Sequence, residues 1–308
     1  MIRLLVALTL ASGCAVKPAA VDAGLRIASL NTANGAGDLY RVPAVRARQS
    51  ELLADIDVAA LQEVDVGVMR SGDLNTAAHA AGLADCSPAP VTEDGVLRCT
   101  LGTDTVVFGI ALAGGIPDTD ETLDPTGIDT RPTAFYGNAV VVRGRAVESA
   151  VVVALPGDVQ PLSLERYAML ADAPLEELAA HNRDARATAR IEARAVVVVR
   201  LVQPKLSLLA LHLEADDEGP LRHAQLAAAV AIAKAERAKG RFVVVLGDFN
   251  MQPSETGATF TDGGFSRAVG EGLNQIWVDA TLRTSEAVEL PTDGGSDHPL
   301  MPVVFVRP

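Results

Sequence analysis

Phe242-Val243-Val244-Val245-Leu246-Gly247-Asp248-Phe249-Asn250 reads as a buried strand that stops on a carboxylate, five apolar residues in succession followed by a glycine and an acid. Upstream lies an Ala-rich helical stretch, Pro220 to Lys239, closed by Gly240. The same order occurs once before. Val45, Leu52, Leu53 and Ile56 recur at helical spacing after Pro43, Val58 to Leu61 is a compact apolar run, and Gln62-Glu63 follows. Two similar halves thus each deliver an acid at the C-terminal end of a buried strand, the end at which open α/β sheets bind ligands. Leu25 to Leu30 adds an alternating strand that ends at Asn31. Thr105 to Ala111, Asn138 to Val142, Val147 to Ala154, Ala195 to Val202 and Leu206 to His212 are further strand runs, the last two joined across Gln203-Pro204-Lys205 as a hairpin turn. Strands on both sides of helices predict stacked sheets in an α/β fold. No linker composition divides the chain, so one domain is expected over residues 25–308.

The 308 residues are 49% hydrophobic and 21% charged, which suits a globular protein and excludes a disordered or low-complexity chain. A formal charge of −13 repels polyanions and argues against strong binding of duplex DNA. A monomer is expected. Met1-Ile2-Arg3 precedes an apolar run, Leu4 to Ala11, that is too short to span a bilayer and reads as a signal peptide covering residues 1–13. Ala11-Ser12-Gly13-Cys14 resembles the lipobox of bacterial lipoproteins, which implies cleavage before Cys14, its lipidation, and residues 14–24 as a tether. The expected location is therefore outside the cytoplasm, anchored to a bacterial membrane in the periplasm or at the cell surface, with plain secretion as the alternative. Cys86 and Cys99, with 12 residues between them, are candidates for a disulfide in an oxidising compartment, closing a loop worth roughly 3 kcal/mol. Two buried thiols are the other reading. The acidic stretch Gly114 to Pro132 lacks the residue order of an EF-hand and reads as a solvated loop. Leu162 to Ile191, helical and broken at Pro174, reads as an insertion at the rim of the site that carries His181.

The residues with chemistry are Asn31, Glu63, Asp248, Asn250 and Asp297, together with His212 and His298. Carboxylates and amide oxygens without thiolates suit a hard cation, Mg²⁺ first, with Mn²⁺ or Ca²⁺ as alternatives. Zinc is disfavoured, since the chain has no His-x-x-x-His pair and no Cys-x-x-Cys. It also lacks a Gly-x-Ser-x-Gly elbow and a Gly-x-x-x-x-Gly-Lys phosphate loop, which removes support for serine acyl hydrolysis and nucleotide-driven motors. Metal-assisted hydrolysis remains, with phosphate esters as its commonest substrates.

Ser-Leu-Asn (29 to 31), Leu-Gln-Glu-Val-Asp (61 to 65), Tyr-Gly-Asn-Ala-Val (136 to 140), Leu-His-Leu (211 to 213), Leu-Gly-Asp-Phe-Asn (246 to 250) and Gly-Ser-Asp-His-Pro (295 to 299) resemble, in order and spacing, the endonuclease/exonuclease/phosphatase family of the pancreatic-type deoxyribonuclease superfamily. The resemblance implies a four-layer α/β sandwich, two mixed sheets face to face with helices outside. It implies Asn31 and Glu63 as ligands of the catalytic metal, with Asp297 adding a carboxylate. Asp248 then orients or deprotonates the attacking water, Asn250 contacts a phosphoryl oxygen, His298 contacts the phosphoryl group and His212 protonates the leaving oxygen. Asn138 fits the family's Gly-Asn pattern as structural support. Arg194 reaches either a substrate phosphate or a surface salt bridge. Two departures stand out. Ala210-Leu211-His212 replaces the family's Asn-Thr-His, and Asn274 stands where the family often has the acid that partners the last histidine, for which an amide is a weaker acceptor. The implied activity is a divalent-metal phosphoesterase acting on a phosphodiester or phosphomonoester. The alternative is a non-catalytic cell-surface binding protein that keeps the sandwich.

Overall fold

The computed structural model describes residues 24–32, 43–68, 71–83, 95–113, 116–117, 128–129, 134–157, 193–215, 219–270, 272–287, 289–292 and 295–306. The signal segment with Cys14, and also Cys86, the insertion 162–191 with His181, and most of the loop 114–132, lie outside the described residues.

The strands are β1 (Leu25–Asn31), β2 (Val58–Val66), β3 (Val96–Leu101), β4 (Asp104–Ala113), β5 (Ile116–Pro117), β6 (Ile128–Asp129), β7 (Phe135–Val142), β8 (Val147–Ala154), β9 (Ala195–Leu201), β10 (Leu206–His212), β11 (Phe242–Asp248), β12 (Phe265–Val269), β13 (Asn274–Asp279), β14 (Arg283–Ala287) and β15 (Met301–Val306). The helices are α1 (Pro43–Leu53), α2 (Thr76–Ala80), α3 (Pro220–Ala238) and α4 (Pro253–Asp262). Among the described residues the strands form a seven-stranded sheet in the order β14-β15-β1-β2-β7-β4-β3, a six-stranded sheet in the order β12-β13-β11-β10-β9-β8, and the small pair β5-β6. Each large sheet holds one parallel pair, β1 with β2 and β10 with β11, amid antiparallel neighbours. Both are therefore mixed.

Side-chain alternation along the central strands explains the layers. In β2, Val58 and Ala60 face the second sheet, where they join Ile27, Val107, Val140, Val197, Leu208, Val244 and Ile276 in the core between sheets. Ala59 and Leu61 point the other way, toward Leu53 of α1 and Ala77 of α2. On the far side of the molecule, Leu209 and Val245 pack against Leu226 of α3 and Phe260 of α4, and Phe260 stacks on Trp277 with centroids 4.5 Å apart. Strands buried on both faces read as unbroken apolar runs, and for that reason they were legible. Close approach of the sheets uses Gly109, where a Cβ would lie 2.4 Å from Val197 Cγ2. The four-layer α/β sandwich expected from the sequence is thus the observed fold. β3, β5, β6, β12, β14 and β15 were not anticipated. β3, β12 and β14 are short edge strands of mixed polarity that owe their extended form to the neighbour they pair with, and β5 and β6 pair within the stretch read as a loop.

Candidate active site

Register brings together the ends of β1, β10 and β11 and the bulge of β2, which runs on to Val66 and so carries Glu63 within the strand and not at its expected end. Asn31 lies opposite Gln62 in the first parallel pair, and His212 opposite Asp248 in the second. The Asn31 amide donates from Nδ2 to Glu63 Oε1 at 2.9 Å and to Asp248 Oδ2 at 3.0 Å, the second bond crossing from one sheet to the other. Glu63 is aimed by an irregularity. Its φ is 56°, inside a register shift between Leu61 and Val64 where β2 pairs with β7. A non-glycine residue in that region carries a cost of about 1–3 kcal/mol, and a bulge of this kind redirects a side chain out of the strand's alternation. Asn250 is held the same way, with φ 50°. Its N–H donates to Asp248 Oδ1 at 2.9 Å, its Nδ2 to the Leu213 carbonyl at 2.9 Å, and its own carbonyl accepts from the Arg222 guanidinium of α3. Gly247, before Asp248, has φ 150°, and a Cβ there would sit 1.9 Å from the Leu211 carbonyl oxygen. Only glycine lets β10 and β11 deliver their last residues side by side.

The two histidines flank this cluster. His298 Nδ1 lies 3.6 Å from Asp248 Oδ2 and 2.7 Å from Asn274 Nδ2. Asn274 thus turns its nitrogen to the histidine, where the sequence reading expected its oxygen; its Oδ1 is buried with no hydrogen-bond partner among the described residues. The His298 loop is pinned by Ser296, whose hydroxyl donates to the Asn31 carbonyl at 2.6 Å and accepts from the His298 N–H at 3.0 Å. Asp297 stands apart from Asn31 and Glu63 in exposure. Its side chain is 70% exposed, with Oδ1 3.8 Å from His298 Nε2. His212 is buried, and Arg194 approaches its Nδ1 at 3.1 Å. Arg194 is not a surface residue: it is 6% exposed, with Nε 3.5 Å from Oε2 of the buried Glu214. Burial first, then the Arg194 charge and then His298, hold His212 well below the usual imidazole pKa. Asn138 donates to the Ala195 carbonyl at 3.4 Å, a scaffold contact.

Glu214, Ser296 and Arg222 escaped the sequence reading. Glu214 had a local signal, since it lies two residues after His212 and so on the same side of an extended chain, and Ser296 lay within the quoted Gly-Ser-Asp-His-Pro without being given a role. The bonds of Ser296 to the Asn31 carbonyl and of Arg222 to the Asn250 carbonyl join groups brought near only by folding. As to a metal, no group of three or more His, Cys, Asp or Glu side chains is drawn together among the described residues. The assembled set is one amide and two carboxylates, with the amide N–H₂ lying between the carboxylates as a positive centre would. Turned about its last torsion, the Asn31 amide would present Oδ1 there instead, and the resulting oxygen donors fit a hard cation that keeps its waters.

The endonuclease/exonuclease/phosphatase family profile matches residues 28–298. The chain belongs to this family. Among solved structures, the endonuclease/exonuclease/phosphatase from Beutenbergia cavernae is 16% identical with a TM-score of 0.56, covering 92% of this chain and 72% of that one. The human Nocturnin catalytic domain with bound sulfate is 14% identical with a TM-score of 0.56, covering 94% and 96%. A mannosyl-6-phosphatase from Bacteroides thetaiotaomicron is 12% identical with a TM-score of 0.53, covering 92% and 99%. At such identities these three establish the shared endonuclease/exonuclease/phosphatase fold. No curated protein sequence matches the chain.

Proposed function

We propose that this family member is an exported, divalent-metal-dependent phosphoesterase that hydrolyses a phosphate ester by in-line attack of water. The observation that carries the reading is the meeting of Asn31, Glu63 and Asp248 across two sheets, with His298 beside them. Asn31 and Glu63 would hold the cation, with Asp297 as a further carboxylate. When bound, the cation supplies charge neutralisation at a phosphoryl oxygen. The chain's own groups supply the rest. Asp248 has both oxygens engaged by donors, yet each oxygen keeps a lone pair with which to orient a water and take its proton. Asn250 and His298 stand beside Asp248 to contact phosphoryl oxygens. A sulfate in the Nocturnin structure and the phosphatase named above support a tetrahedral anion as the reacting group.

The test is a screen over DNA, RNA, phospholipid headgroup and sugar-phosphate substrates with Mg²⁺, Mn²⁺ or Ca²⁺ supplied. Hydrolysis of at least one class is expected, abolished by excess chelator, restored by added cation and lost in Glu63→Ala. Undiminished activity in chelator would overturn metal dependence. No hydrolysis with any cation would leave a binding protein on the sandwich scaffold.

A further inference from the structure

Arginine's guanidinium carries donors only and stays charged, so whatever ring nitrogen it approaches must accept. Arg194 Nη1 lies 3.1 Å from His212 Nδ1, and both side chains are buried. A proton on Nδ1 would set N–H against N–H. The lone pair is therefore on Nδ1, which leaves the ring proton on Nε2. Arg194 is in turn fixed by Glu214, whose Oε2 lies 3.5 Å from Nε. Glu214 cannot drift, because its Oε1 accepts the Ala215 N–H at 3.0 Å and its own N–H donates to Gln225 Oε1 at 2.9 Å. Gln225, on α3, donates onward to the Pro156 carbonyl at 2.9 Å.

We infer that Arg194, held by Glu214, locks His212 as an Nε2–H imidazole, so that His212 serves the substrate as a hydrogen-bond donor and not as the acid that protonates the leaving oxygen. An imidazole with that single proton gives it up only by becoming an anion, so the leaving oxygen takes its proton from water. Burial and the neighbouring Arg194 and His298 act in the same direction by opposing a second proton on the ring. Glu214 is a positioning residue: it touches Arg194, and acts on the ring through it. The catalytic half of the inference rests on the phosphoesterase reading; the state of the ring does not.

Long-range ¹⁵N–¹H NMR of the full chain with labelled histidines, near neutral pH, reads the ring directly. The chain has five histidines, and His212 is assigned by its disappearance in His212→Gln. The expected result is one protonated nitrogen, Nε2, and one unprotonated nitrogen, Nδ1. Arg194→Met should move the two shifts toward each other as tautomers mix, and Glu214→Gln should do the same to a smaller degree. A wild-type ring protonated on Nδ1, or on both nitrogens, overturns the inference, as do unchanged shifts in a folded Arg194→Met. Should that variant fail to fold, the wild-type spectrum alone decides. For catalysis, His212→Gln should lose the same factor on an alkyl ester and on an activated aryl ester. A loss about 10²-fold larger on the alkyl ester, the lower end of general-acid effects, would return His212 to the acid's role. Absence of hydrolysis with every ester would overturn the phosphoesterase reading and the catalytic half with it, while the spectrum still settles the tautomer.

Discussion

Asp248 is gripped from two directions, by the Asn250 N–H that follows it in sequence and by the Asn31 amide from the opposite sheet. Both bonds need an acceptor, so Asp248→Asn does two things at once: it removes the group able to take a proton from water, and it turns an NH₂ toward one of the donors. The expected result is a fall in kcat of at least ~10²-fold, measured by steady-state kinetics, with far-UV circular dichroism unchanged. A rise in KM with kcat intact would move Asp248 out of the chemistry and into substrate binding. Asn274 makes the opposite point about residue identity. Where a carboxylate could only accept from His298, the amide sets Nδ2 at 2.7 Å from its Nδ1.

Among the elements, α3 is joined to the six-stranded sheet by a carboxylate in an unfavourable place. Glu236 lies in the last turn of the helix, where the macrodipole repels an anion, and it is buried. Arg200 of β9 compensates with two bonds of 2.7 and 2.8 Å, Ser207 of β10 with one of 2.8 Å, and Lys239 with one of 2.6 Å. The Arg200 hydrogen bonds, working against burial and aided by Lys239 and Ser207, lower the Glu236 carboxyl from 4.5 to about 2. Between those values the unfolded chain binds a proton that the native state does not. The stabilisation is therefore complete above about 4.5 and is lost as pH falls through about 2. Glu236→Gln should flatten that acid limb in urea-unfolding midpoints, and at neutral pH should cost about 2 kcal/mol, the scale of hydrogen bonds to charged groups. An unchanged acid limb would show that α3 is held by its apolar face alone, through Leu226, Ala229 and Ala233.

For the molecule as a whole, the proposal of a life outside the cytoplasm rests on the signal-like N-terminus, and Cys99 is disulfide-bonded. The expected partner of Cys99, Cys86, lies outside the described residues, and no helix among the described residues is long and apolar enough to cross a membrane. The proposed anchor is Cys14, on the strength of the lipobox-like Ala11-Ser12-Gly13-Cys14. Cys14→Ser should shift the protein from the membrane pellet to the soluble fraction on ultracentrifugation, because a multiply acylated cysteine anchors stably. A wild-type protein already in the soluble fraction would rule the anchor out. The layered α/β fold was legible in the sequence alone, which also marked the acids and histidines as candidates. A strand buried on both faces must be apolar throughout, and the polar residue that ends it stands out against that run, as Asn31, Asp248 and His212 do. What the tertiary structure decided is who meets whom. The bond from Asn31 to Asp248 spans 217 positions, and the grip of Arg194 on His212 depends on how β9 begins beside the end of β10. Such contacts follow from the packing of one sheet on another and the register of neighbouring strands, which periodicity within a single strand does not encode.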